Sequence, residues 1–108
     1  MKTVSLVAAA AMFAISMTAS AAADTDAATK ALKDNGCTKC HSVDKSEKGP
    51  AYQKVAAKYK GKADAEAKLA DFLAKGPKVK MDDGSEEEHK AVKDAGTAKN
   101  LVQFILAQ

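Results

Sequence analysis

The chain of 108 residues has no tryptophan and no arginine, and only two cysteines, two prolines, two tyrosines and three phenylalanines. Each shortage closes off a class of function. All 17 basic residues are lysine, so no guanidinium can fork onto phosphates or base edges, and there are few aromatics to stack; a nucleic-acid role is not expected. Two cysteines leave no disulfide framework to staple a fold. Runs of β-branched residues are almost absent while Ala, Lys, Leu, Glu and Asp dominate, so the intrinsic preference is helical throughout. No acid–base pair, Ser–His arrangement or phosphate-binding loop stands out, and side-chain catalysis is not expected.

What is present begins with the N-terminus. Lys2 is followed by a nearly unbroken apolar run from Val4 to Met17 and by Ala21-Ala22-Ala23, a small-x-small pattern. This predicts a secretory leader over residues 1–23 and one domain over residues 24–108. The apolar run is shorter than the roughly 20 residues a spanning helix needs, so export to the periplasm is expected rather than stable membrane insertion. The domain is thin. Tyr52, Tyr59, Phe72 and Phe104 are its only Phe or Tyr residues, so ordinary side chains bury a modest apolar area and a chain of this size needs a further staple.

Cys37-Thr38-Lys39-Cys40-His41 supplies one. Two thiols three positions apart, followed at once by an imidazole, is the pattern for covalent attachment of haem c. The two residues between the thiols bend the backbone through one turn, so that both sulfurs reach one edge of the macrocycle and His41 falls beneath the iron as an axial ligand. A bonded haem is also a large apolar plate around which short helices collapse. Two other chemistries fit the same letters. A Cys-x-x-Cys dithiol of the thioredoxin type calls for a βαβ setting, and no strand-like alternation surrounds it. A zinc site could recruit Cys37, Cys40, His41 and His89, although His41 adjoining Cys40 strains a tetrahedron.

Stop signals and apolar spacing predict four helices and no sheet. The first runs from about Asp26 to Asn35, capped by Thr25 or Asp26 and ended by Gly36. A loop from His41 to Pro50 breaks at Gly49-Pro50. A short helix over 51–59 carries Tyr52, Val55, Ala56 and Tyr59 on one face, and a longer one over 63–75 carries Leu69, Phe72 and Leu73 before Gly76-Pro77 stops it. A polar loop follows from Pro77 to Asp94, long enough to suggest a function. The last helix, 95–107 with Asp94 as its cap, has the strongest apolar face, Leu101, Val102, Phe104, Ile105 and Leu106, which is expected to pack on the first helix.

These motifs together resemble the small bacterial class I cytochromes c, single-haem periplasmic electron carriers. Beyond the haem attachment site, the likeness rests on Gly49-Pro50-Ala51-Tyr52, on Val55-Ala56-Ala57-Lys58-Tyr59, on the helix from Ala65 to Gly76, and on the closing Leu101–Leu106 segment. It covers nearly all of the domain and implies a small all-α class I cytochrome c fold, about four short helices wrapped around one covalently bound haem c. It also implies that the Pro50 carbonyl accepts the second ring N–H of His41. The departure is in the distal loop, where the family usually places a Met among prolines.

The sixth iron ligand is therefore open. Beyond the leader the chain has one Met, Met81, and one His besides His41, namely His89. The family pattern favours a thioether and a high potential. Counting back from Phe104 puts His89 near the family's ligand position and Met81 too early. The resemblance implies a periplasmic one-electron carrier, a monomer shuttling electrons between respiratory or other redox complexes. The alternatives are a haem-based sensor or small-ligand binder with a displaceable sixth ligand, and a haem subunit fixed in an enzyme complex. Lys39, Lys45, Lys48, Lys54 and Lys58 fall where they would ring the haem crevice and dock transiently on acidic redox partners, while Asp82, Asp83 and Glu86 to Glu88 form an acidic run.

Overall fold

The computed structural model describes residues 23–108; apart from Ala23, the expected leader lies outside the described residues. Helix α1 spans Thr25–Asp34, a single 3₁₀ turn covers Cys37–Lys39, α2 spans Tyr52–Tyr59, α3 Ala65–Lys75 and α4 Ala95–Leu106. No helix among the described residues is long and apolar enough to cross a membrane. The four expected helices are present, with two starts displaced. The cap of α1 is Asp24, whose carboxylate accepts from the Ala27 N–H at 3.0 Å, rather than Thr25 or Asp26. An Asp one position earlier reaches the third amide in the usual way. Helix α3 begins at Ala65, two residues later than expected.

One correction is larger. The segment read as a loop folds into an antiparallel hairpin, β1 (Lys78–Lys80) with β2 (Glu86–Glu88), in the register Lys78 to Glu88, Val79 to Glu87 and Lys80 to Glu86. Cross-strand charges of opposite sign stabilise such a pair, and Asp82-Asp83-Gly84-Ser85 turns the chain, with the Asp83 carboxylate accepting from the Ser85 N–H at 2.9 Å. Strands of three residues are too short to show alternation in the sequence.

Helix α4 is the organising element, packed by α1, α2 and α3. At the α1 junction Asn100 grips the chain entry, its amide oxygen accepting from the Asp24 N–H at 2.8 Å and its NH₂ donating to the Asp24 carbonyl at 2.9 Å. The buried core is Ala28, Leu32, Ala51, Tyr52, Ala65, Val92, Ala98, Leu101 and Val102. Four of these are alanines, so the core is small, as the composition implied. Leu69, Phe72 and Leu73, expected as a buried stripe, are only half-buried, as are Val55 and Tyr59 on the face of α2, because they border a cleft.

Candidate haem site

Where they do not pack on one another, the apolar faces of α2, α3 and α4 converge on an open cleft of about 520 Å³. Its walls include Leu32, Val55, Tyr59, Leu69, Phe72, Leu73, Leu101 and Ile105, and its rim includes Cys37, Cys40, His41, Pro50, Met81 and His89. All six residues singled out from the sequence thus border one cavity. The lining is what a flat apolar group with polar edges requires, and leaving it open would expose apolar surface that folding ordinarily buries.

The 3₁₀ turn sets the near wall. The Cys40 and His41 amides both donate to the Cys37 carbonyl, at 3.1 and 3.0 Å, folding the five-residue motif onto itself so that both thiols and the imidazole share one rim. Both thiols are unpaired and half-buried. Burial pushes the Cys37 thiol above its ordinary value, outweighing a backbone hydrogen bond that lowers it.

His41 is fixed on several sides. Its Nδ1 lies 2.7 Å from the Pro50 carbonyl oxygen. A carbonyl can only accept, so Nδ1 carries a proton and Nε2 is the ring nitrogen left to bind a metal. The Tyr52 ring stacks on the imidazole, centroids 5.3 Å apart with 21° between planes. Gly49 backs the ring, since a Cβ there would stand 2.8 Å from both Nδ1 and Nε2. The glycine of Gly49-Pro50, visible in the sequence only as a chain break, leaves room for the ligand.

Across the cleft the hairpin delivers His89. The chain after β2 is tied to the end of α3 by His89 N–H to the Pro77 carbonyl at 2.9 Å and Val92 N–H to the Leu73 carbonyl at 2.8 Å. His89 Nδ1 lies 3.0 Å from the Lys90 carbonyl oxygen, so here too the proton sits on Nδ1 and Nε2 is free. Burial holds the His89 imidazole below its ordinary value; the Lys90 carbonyl pulls the other way and His41 adds to the lowering. That lowering favours the neutral ring, the form that ligates a metal.

The two ring centroids are 6.1 Å apart, with planes tilted by 52°. Imidazoles bound on opposite sides of one transition metal, at about 2 Å per metal–nitrogen bond, put their centroids roughly 6 Å apart. Direct ring contact would be closer. Met81 borders the same cleft from the hairpin turn, where its N–H donates to the Ser85 carbonyl at 2.7 Å and its carbonyl accepts from Gly84 at 2.9 Å. The Tyr52 hydroxyl is buried and meets no hydrogen-bond partner among the described residues. Neither alternative set of ligands fits as well. A zinc tetrahedron asks for four ligands gathered around one point, and no group of three or more His, Cys, Asp or Glu among the described residues is so gathered. The dithiol reading lacks its βαβ setting, because the turn carrying Cys37 follows a helix and leads to a helix.

A model of the cytochrome c family matches residues 26–107. The chain belongs to the cytochrome c family. As a cytochrome c, it is a member of a family that carries covalently attached haem c, an iron cofactor, and its fold is the small all-α class I type. Among solved structures it is similar to a class 1 cytochrome, MtoD, from Sideroxydans lithotrophicus ES-1, with 52% identity and a TM-score of 0.76 over 80% of this chain and 97% of that one. It is also similar to cytochrome c552 of Nitrosomonas europaea, with 31% identity and a TM-score of 0.61 over 72% and 95%. Among curated relatives, cytochrome c-551 of Pseudomonas aeruginosa is 49% identical over 45 residues, 42% of this chain and 43% of that protein. Cytochrome c2 of Rubrivivax gelatinosus is 47% identical over 49 residues, 45% and 53%. The matched stretch spans about half the length of these curated relatives.

Proposed function

We propose that this cytochrome c is a periplasmic one-electron carrier whose haem is bonded to Cys37 and Cys40 and ligated by His41 and His89. The observation that carries the ligation is the pair of carbonyl-tethered imidazoles, 6.1 Å apart across an apolar cleft. The haem supplies a ferric/ferrous couple. The chain supplies the rest. The Pro50 and Lys90 carbonyls fix the tautomer of each ligand and raise its basicity. The apolar walls limit water around the metal, and an imidazole as sixth ligand sets a lower potential than the thioether of Met81 would. No side chain has to accept or release a proton for the electron to pass, and no substrate pocket is required.

Export rests on the leader read from residues 1–23. Docking rests on charge: Lys39, Lys45, Lys48, Lys54 and Lys58 are exposed, and Lys48, Lys54 and Lys58 border the cleft. A transient acidic redox partner suits that rim, and electrostatic steering would make its association rate fall as salt rises.

Haem-loaded protein made with a haem-ligation apparatus tests the reading. The oxidised form is expected to lack the red charge-transfer band of a thioether–iron bond, and His89→Ala is expected to lose the low-spin spectrum or acquire that band from Met81. Wild-type protein showing the band, with His89→Ala unchanged, would return the sixth position to Met81. Carbon monoxide binding readily to the reduced wild type would favour a ligand-binding role instead.

A further inference from the structure

Each candidate ligand ring is touched by one aromatic side chain, from a different helix. Tyr52, in the first turn of α2, lies face to face with His41 at 5.3 Å and 21°; Phe72, on α3, meets His89 edge-on at 4.8 Å and 66°. A carbonyl on Nδ1 holds one atom of each imidazole but leaves the ring free to swing about the N–H···O direction. A flat neighbour removes that freedom. Tyr52 is itself held, being buried and with its N–H donating to the Ser42 carbonyl at 3.0 Å, beside His41 in the chain.

We infer that Tyr52 and Phe72 are positioning residues that fix the two imidazole planes, and so set the 52° angle between them. This rests on the two-imidazole ligation proposed above. The partners that orient a metal's ligands tune the metal, and the angle between axial ligand planes governs how far the d orbitals of low-spin ferric iron are split. That splitting is read directly as the anisotropy of the g values.

Electron paramagnetic resonance of the frozen ferric haem-loaded protein tests this. Tyr52→Leu and Phe72→Leu are each expected to keep a low-spin two-imidazole spectrum while shifting the largest g value. Tyr52→Phe and Phe72→Tyr, which keep the rings, are expected to restore the wild-type value. Leucine variants with unchanged g values would overturn the inference while leaving the ligation intact. A thioether band in the wild type would instead remove the ligation and the inference with it. Should a leucine variant fail to accumulate, the haem-methyl paramagnetic shifts of the wild type report the ligand planes without any substitution. Planes inclined to one another support the inference, and parallel planes overturn it.

Discussion

Gly76 offers the sharpest test of how the His89 segment is held. It ends α3 with φ 55° and ψ 55°, and a Cβ built there would lie 2.5 Å from the His89 carbonyl oxygen and 2.9 Å from both the Ala91 amide nitrogen and the Ala91 Cβ. Alanine at this position incurs two separate costs. The left-handed conformation costs a non-glycine residue roughly 1–2 kcal/mol. The overpacking adds about 1–3 kcal/mol, because the segment it strikes is bolted to α3 by the His89–Pro77 and Val92–Leu73 hydrogen bonds and yields only by stretching them. The sum, about 2–5 kcal/mol, corresponds to a fall in Tm of roughly 10–30 °C for a domain of this size. Gly61 is the control. Its φ is 76° but nothing lies within 4 Å of its Cβ, so Gly61→Ala should show only the backbone part, about 1–2 kcal/mol. Thermal unfolding of the haem-loaded variants, followed by helical circular dichroism, measures the difference, and the visible spectrum reports whether the iron ligation of the wild type is kept. Equal losses in the two variants would refute the claim that close packing against Gly76 positions His89.

Gly49→Ala should drive its methyl group into the His41 ring, and the checkable outcome is a lower yield of haem-loaded protein with a normal low-spin spectrum. The Asp94 carboxylate caps α4 by accepting from the Thr97 hydroxyl at 2.7 Å and the Thr97 N–H at 2.8 Å, which hold its carboxyl below the usual range. That contribution is present above the ordinary carboxylate value of about 4 and is lost as pH falls through the lower folded value, so Asp94→Asn should flatten the acid limb of an unfolding curve. Burial, and then the nearby Cys37, push the Tyr52 phenol up to about 12; stability should decline as pH rises above the ordinary tyrosine value of about 10, and Tyr52→Phe should remove that decline in denaturant midpoints taken across the alkaline range. The rate of electron transfer to an acidic redox protein should fall with ionic strength, and a flat profile would refute docking by the lysine rim.

Which parts of this molecule are legible in its sequence follows from the range over which each signal acts. Helix ends are written in one or two residues, so Gly76 and the Asp94 cap mark the ends found in the structure. The Cys37–His41 turn is equally local, since its chemistry is complete within five residues. Helical periodicity is less informative: it shows that Val55 and Tyr59, or Leu69, Phe72 and Leu73, share a face, but not what that face meets. Here the faces border a cleft, so Phe72 reads as an ordinary core residue although it touches His89. The hairpin is harder still, because three lysine- and valine-bearing positions and three glutamates make sense as strands only once paired. The placement of His89 depends on that pairing. Read as a loop, residues 77–94 set the family pattern, which favours Met81, against the spacing from Phe104, which favours His89; folded as β1, turn and β2, they put Met81 at the turn and bring the His89 imidazole to within 6.1 Å of His41, with both candidates on the cleft. On the ligation proposed above, the choice of His89 rests on the hairpin register, and a variant that breaks the Lys78–Glu88 and Lys80–Glu86 pairing should perturb iron ligation, read from the visible spectrum, although it touches neither candidate.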